Sequence, residues 1–447
     1  MELLQQNKAI FYHPCNDSTE YLKTQDWDET TPTYAAGKVS DALWPTVGGP
    51  TFGAEAEFLG AGAKPQDISV AALSATKFVV AYRVQFASSA RARVGTVSGT
   101  DITFGAEVEF FGMSSSDCIS VTALLATKFV VAYRDQAGSN HGTAKVGTVN
   151  GTAITFGAET EFTTGTTSYI SATTLSATAF VVAYRDDADS RHGTAKVGTV
   201  SGTAVTFGAE VEFLSADGAD YISAAALSAT AFVVAYRDNA DSAHGTARVG
   251  TVSGTAITFG VEAEFNGATT AYISAAALSA TAFVVAYQDG AAHGTARVGT
   301  VSGTDITFGV ESEFLNAGAY DIFAAGLSAT KFVAAYRDNP DSNRGKAKVG
   351  TVTGTAIAFG AEGEYATAWA GYNPVAALDS AILPPASATE LVVAYRDGAN
   401  SYQGTAKVGT LPAAPASSLA ASTPGAYDSA TAATKVAFCG WFRKPSA

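Results

Sequence analysis

Residues 169–213 read YISATTLSATAFVVAYRDDADSRHGTAKVGTVSGTAVTFGAEVEF. YISATTL (169–175) is a short run of small and apolar residues. AFVVAYRD (179–186) is almost continuously apolar, rich in β-branched and aromatic residues, and reads as a strand buried on both faces. DADSRHG (187–193) is a polar turn in which Asp and Ser bond their own backbone and Gly takes positive φ. TAKVGTV (194–200) alternates as a third strand, SG (201–202) is a tight hairpin signal, and TAVTFGAEVEF (203–213) is a fourth strand. No helix-period segment interrupts them, so the unit is an antiparallel sheet of four strands.

The unit recurs at intervals of about fifty residues, the range of propellers and repeat arrays. FG-x-E-x-E-[FY] begins at Phe52, Phe104, Phe156, Phe207, Phe259, Phe308 and Phe359; [FL]-V-x-A-Y begins at Phe78, Phe129, Phe180, Phe232, Phe283, Phe332 and Leu391; VGT[VL] begins at Val94, Val146, Val197, Val249, Val298, Val349 and Val408. Four short strands repeated seven times predict an all-β fold, a seven-bladed β-propeller with four-stranded antiparallel blades, over 51–411. A β-solenoid is the competitor, but its coils are usually shorter and lack hairpin-linked strands. The Ala/Ser/Thr-rich strand suits the crowded axis, and the paired glutamates (Glu107/Glu109, Glu159/Glu161, Glu210/Glu212) suit an exposed outer edge. The first fourth-strand motif (51–58) precedes any other strand of the repeat, and the last three strands (374–411) lack a fourth. The N-terminal copy is therefore expected to complete the last blade and close the ring.

Composition excludes several classes. Apolar residues make up 47 % and charged residues 15 %, and the net charge is −14 without Lys/Arg runs. A nucleic-acid partner, which needs a basic face, is not expected. No apolar run approaches membrane-spanning length and no signal peptide is visible, so neither membrane insertion nor export by that route is expected. Cys15, Cys118 and Cys439 are too few and scattered for a disulfide framework or zinc site, and free thiols are expected of a chain made in a reducing compartment.

Residues 1–50 and 412–447 lie outside the repeat. Tyr12, His13 and Asp17, then Gly37, Lys38, Ala42 and Leu43, and finally Phe438, Trp441, Lys444 and Pro445 follow a Tyr-His-acidic turn, a Gly-Lys-x-x-x-Ala-Leu segment and an aromatic Phe-x-x-Trp strand ending in Lys-Pro. Together they resemble the opening strands of laminin-G-like, concanavalin-type sandwiches. The resemblance implies a partial β-sandwich formed by the two termini, with most sandwich strands missing and no positions matching the family's ligand loops. A propeller joined to such a module resembles receptor-binding and decoration proteins of phage virions. That implies a virion or extracellular-surface location reached by lysis, with cell-surface glycan or other virion proteins as partners; homo-oligomerisation is left open.

Short, nearly invariant turns lie on one face of the disc, and varied, polar connections on the other. A binding site is expected on the varied face. There the start of the innermost strand carries Asp67, Cys118, Tyr169, Tyr221, Tyr272, Asp321 and Tyr372. Tyrosine offers a ring face and a hydroxyl to a sugar; the same rings also serve to cap the channel and pack between blades. The second strand ends in Arg134-Asp135, Arg185-Asp186, Arg237-Asp238, Arg337-Asp338 and Arg396-Asp397, with Gln288-Asp289 in the fifth copy. These pairs either hold an anionic sugar or tie blades together. The seventh repeat departs most, with Trp369, Tyr372, Asn373 and the insert 381–390. His141, His192, His244 and His293 are one blade apart and read as turn residues; the D-x-x-D-S turns lack a calcium loop's spacing, so no metal or other cofactor is expected. No catalytic constellation stands out, because almost every carboxylate is a copy of six others. The reading is a non-enzymatic surface-binding or decoration protein recognising glycan. A structural docking platform and a propeller carbohydrate-active enzyme are the alternatives.

Overall fold

The second strand of each repeat explains how one sheet packs on the next. In Ala179–Asp186, side chains alternate across the sheet. Phe180, Val182 and Tyr184 enter the seam with the preceding sheet, while Val181 and Ala183 enter the seam with the following one. All five are fully buried, so the continuous apolar run is a strand with two dry faces.

The computed structural model describes residues 48–412, apart from 86–88, 113–115, 138, 217 and 380–386, and the backbone of three strands nearer the N-terminus. The chain divides into two compact units, Gly48–Pro412 and Met1–Val47 with Ala413–Ala447. In the second of these, Lys8–Tyr12, Tyr21–Asp26 and Tyr34–Lys38 form a three-stranded antiparallel sheet. Cys15, Cys439 and most residues carrying the laminin-G-like resemblance lie outside the described residues.

Gly48–Pro412 is all β. Numbered in chain order, blade 3 shows the pattern: an inner strand pairs with Ala179–Asp186, which pairs with His192–Ser201, which pairs with the outer segments Ala204–Phe207 and Val211–Leu214. The antiparallel pattern recurs seven times, and seven apolar clusters each join one blade to the next. Two connections are not loops: Thr160–Ser176 and Ala356–Gly371 run unbroken from the outer strand of one blade into the next blade. Ring closure follows the motif order. Phe52 pairs with Gly409 and Ala56 with Ala406, so the N-terminal strand completes blade 7. Phe58, fully buried, then packs on Tyr82 of blade 1 at 5.0 Å between ring centroids.

Close approach explains the motif glycines. Gly198 lies opposite Phe180, and a Cβ there would stand 2.3 Å from the ring. At Gly208 it would stand 2.6 Å from Thr255 in the next blade's hairpin.

The paired glutamates lie exposed at the outer edge, and the first of each pair has a further role. The outer strand breaks at Gly208–Glu210, and the first glutamate, still exposed, reaches the hydroxyl of a buried tyrosine. The fully buried Tyr184 hydroxyl donates to Glu210 (2.7 Å), and Lys196 reaches both Glu210 (3.2 Å) and the Phe162 carbonyl of blade 2 (2.6 Å). Equivalent Tyr–Glu bonds join Tyr82–Glu107, Tyr133–Glu159, Tyr236–Glu262, Tyr287–Glu311, Tyr336–Glu362 and Tyr395–Glu55. A buried phenol needs an acceptor, and the first glutamate supplies it. The small residues of the inner strand also do more than relieve crowding: Ser69, Ser120, Ser171, Ser223 and Ser274 each accept a backbone N–H from the following blade's inner strand, at 2.9–3.0 Å.

Candidate functional site

The inner strands of all seven blades line a central channel cavity of about 300 Å³, walled mainly by Ala, Val and Thr. At its mouth each inner strand bulges. In blade 3 the register slips between Ser168 and Ser171, leaving Tyr169 unpaired with φ near 49°. Asp67, Cys118, Tyr221, Tyr272, Asp321 and Tyr372 share this left-handed conformation (φ 48–54°). A β-bulge re-aims the side chain it carries. Because the strain recurs at every copy whatever the residue, it belongs to the blade; the side chain placed there is what varies.

Those side chains meet. Tyr169 and Tyr221 rings lie 5.6 Å apart, Tyr221 and Tyr272 5.5 Å, and Tyr272 and Tyr320 5.6 Å, an aromatic arc over four consecutive blades. Sequence reading assigned blade 6 to Asp321, but its neighbour Tyr320 supplies the ring. Guanidinium groups interleave with the arc: Arg185 over Tyr169 (4.8 Å), Arg237 over Tyr221 (4.9 Å) and Arg337 over Tyr320 (4.9 Å). In blade 7, Arg396 stands 4.6 Å from Trp369 and 5.4 Å from Tyr372. All of these aromatic and arginine residues are half-buried, so ring edges and cation flanks reach solvent.

The Arg-Asp dipeptides do not act as pairs. Successive strand residues point to opposite faces, so Arg185 and Asp186 part company. Arg185 contacts Asp220 of blade 4 and Asp187 (2.5 Å), and Arg237 contacts the same Asp220. Asp220 is only 4 % exposed at its side chain, and Asn239 donates to it at 2.8 Å. Burial raises its carboxyl pKa, but the Asn239 bond and the two guanidinium charges outweigh that and hold it below the ordinary value. Asp186 faces the preceding blade and accepts the amides of Ala188 and Asp189; Asp238 accepts those of Ala240 and Asp241. Both aspartates therefore fasten turns. Burial pushes the Asp186 carboxyl up against the opposing effect of its amide donors. Asp220 was missed in the sequence because its position varies from copy to copy; the signal was a carboxylate one residue before a ring tyrosine.

At the rim of blades 2 to 5, the second glutamate of the pair meets the turn histidine. His192 lies 3.1 Å from Glu212 and 3.6 Å from Asp189; His244 lies 2.8 Å from Glu264 and 3.4 Å from Asp241. These two triads gather three candidate metal-ligand atoms each. Blade 6 places Arg344 in the same position, 3.0 Å from Glu364 and 3.6 Å from Asp341. In blade 6 a permanent cation makes an ion pair at this position.

No family model matches the chain, and no curated protein matches it. Solved structures do resemble it. The BP39L lectin from Burkholderia pseudomallei superposes with a TM-score of 0.54 at 11 % identity, over 80 % of this chain and 98 % of that one. The SapL1 lectin in complex with alpha methyl fucoside gives 0.45 at 14 % identity, over 68 % and 98 %. The NanB sialidase from Streptococcus pneumoniae gives 0.45 at 10 % identity, over 84 % and 74 %. At such identities the likeness is one of fold, the β-propeller.

Proposed function

We propose that this chain binds glycan without catalysis, using the mouth of the propeller channel, and that it serves as a receptor-binding or decoration component of a virion. The observation that carries the binding reading is the arc of half-buried tyrosines running across consecutive blades, three of the four edged by a guanidinium. Flat ring faces suit the apolar face of a sugar, and hydroxyl and guanidinium donors suit its oxygens. Four or more such positions in one ring, and more in an oligomer, raise avidity without a deep pocket. The propeller lectin of Burkholderia pseudomallei shares the fold, which is compatible with this use but does not dictate it. The virion setting rests on the architectural resemblance of a propeller joined to a concanavalin-type module.

Against catalysis stands the commitment of the carboxylates: Asp220 to two arginines, Asp186 and Asp238 to turn amides, and Glu210 to Tyr184 and Lys196. A glycan array read with the intact chain and with the Tyr169→Ala/Tyr221→Ala/Tyr272→Ala variant tests the proposal. The expected result is binding that the triple variant loses, while substitution of Ser201 and Ser253 on the opposite face leaves it intact. Equal losses from both faces would refute it.

A further inference from the structure

We propose that the seventh-blade end of the channel mouth is a subsite for the carboxylate of an acidic saccharide, with Arg396 as its receptor; this rests on the glycan-binding reading. Arg83 is paired with Asp67 (2.9 Å), Arg185 with Asp187 and Asp220, Arg237 with Asp220, and Arg337 with Asp321 (2.9 Å). Arg134 of blade 2 donates to the Thr167 carbonyl and the Ser168 hydroxyl (3.2 Å each), and blade 5 carries Gln288; blade 7 differs from all of these. The ring position that is Asp in blades 1 and 6 is Tyr372, and the position of Asp220 is taken by Gly371. Among the described residues no carboxylate contacts Arg396, and its Nε is buried without a hydrogen-bond partner.

Instead the Arg396 guanidinium is flanked by three rings, Trp369 at 4.6 Å, Tyr372 at 5.4 Å and Tyr402 at 5.5 Å. Lys64 brings a second cation to Tyr402, at 5.1 Å. Aromatic faces attract a cation but leave the donor fork in its own plane open, and that fork matches a carboxylate. Trp369 and the 40 %-exposed Tyr402 supply the surface on which the sugar ring stacks. This copy is specialised in a further respect. Where six blades place Ile at the start of the inner strand, blade 7 places Asn373, fully buried with neither amide atom paired. The fold gains nothing from that exchange, since an unsatisfied buried amide is destabilising.

The test uses the intact chain and paired probes: a glucuronate-terminated oligosaccharide and its carboxyl-reduced twin, and likewise sialyllactose and lactose, titrated calorimetrically at 0.15 M salt. Wild type is expected to bind at least one carboxylated probe about ten-fold or more tighter than its neutral twin. Arg396→Gln, a side chain that blade 5 already carries at Gln288, is expected to bring that ratio to about one while circular dichroism and melting temperature match wild type. Arg396→Lys, which keeps the charge and loses the fork, is expected to retain only part of the ratio. Neutral-glycan binding with a ratio near one in wild type, or a ratio unchanged in Arg396→Gln, overturns this subsite and leaves the glycan-binding reading standing. Binding of no glycan in either form overturns both.

Discussion

Alkali should unfold the propeller through its buried tyrosines. Tyr82, Tyr133, Tyr184, Tyr236, Tyr287, Tyr336, Tyr365 and Tyr395 are at most 1 % exposed. Seven of them donate to a glutamate, as Tyr184 does to Glu210 at 2.7 Å. Burial, and then the neighbouring carboxylate, raises these hydroxyls far above the ordinary tyrosine value of about 10. The folded pKa exceeds the unfolded one, so the stabilisation is fully present below about pH 10 and is lost as pH rises beyond it. At pH 11 each unfolded tyrosine has released its proton, favouring unfolding by about 1.4 kcal/mol, or about 11 kcal/mol for the eight. That is comparable to the whole stability of an ordinary domain, about 5–15 kcal/mol. Absorbance at 295 nm and far-ultraviolet circular dichroism, followed together from pH 8 to 12.5, read the outcome. Of the 18 tyrosines, exposed ones should titrate first, Tyr272 should follow nearer its raised value of about 12, and the eight should ionise only as the β-sheet signal collapses. Reversible titration of all 18 near pH 10, with the dichroism unchanged, would refute the buried Tyr–Glu lattice.

Gly198→Ala places a methyl 2.3 Å from the Phe180 ring, so denaturant unfolding should show a loss of about 1–3 kcal/mol; no loss would mean the ring is not seated there. Asp220→Ala leaves Arg185 and Arg237 facing one another and should cost about 3 kcal/mol near neutral pH. Because the Asp220 pKa is lowered in the folded state, its contribution is present above about pH 4 and fades below it, so the gap between wild type and variant should close on acidification; a constant gap would contradict the assignment. Phe58→Ala should cost about 3–5 kcal/mol, as Phe213→Ala should inside the ring, since Phe58 seals the last seam; a negligible effect would mean the N-terminal strand does not close blade 7.

The blade was legible because its signals are local. AFVVAYRD carries its double burial in composition, SG carries the hairpin, and the order of motifs carries the closure. What escaped depends on which way a strand side chain faces once register is fixed. The bulge and the break in the outer strand set that register, and neither has a one-residue signature. Glu210 and Glu212 look equivalent in sequence, yet one meets Tyr184 and the other His192. Arg185 and Asp186 look like a pair and lie on opposite faces. The mouth position was found because seven aligned copies vary there, but Tyr320 shows that alignment names a position and not the ring that fills it. Asp220 and Arg396 acquire meaning only beside the neighbouring blade or the rings around them.

The most direct measurement is a crystal structure of the intact chain grown with a glycan selected by array binding. Sugar density over the channel mouth, stacked on the rings between Tyr169 and Trp369, is the predicted result. Sugar bound at the outer rim or on the opposite face, with the mouth holding only solvent, would contradict the account.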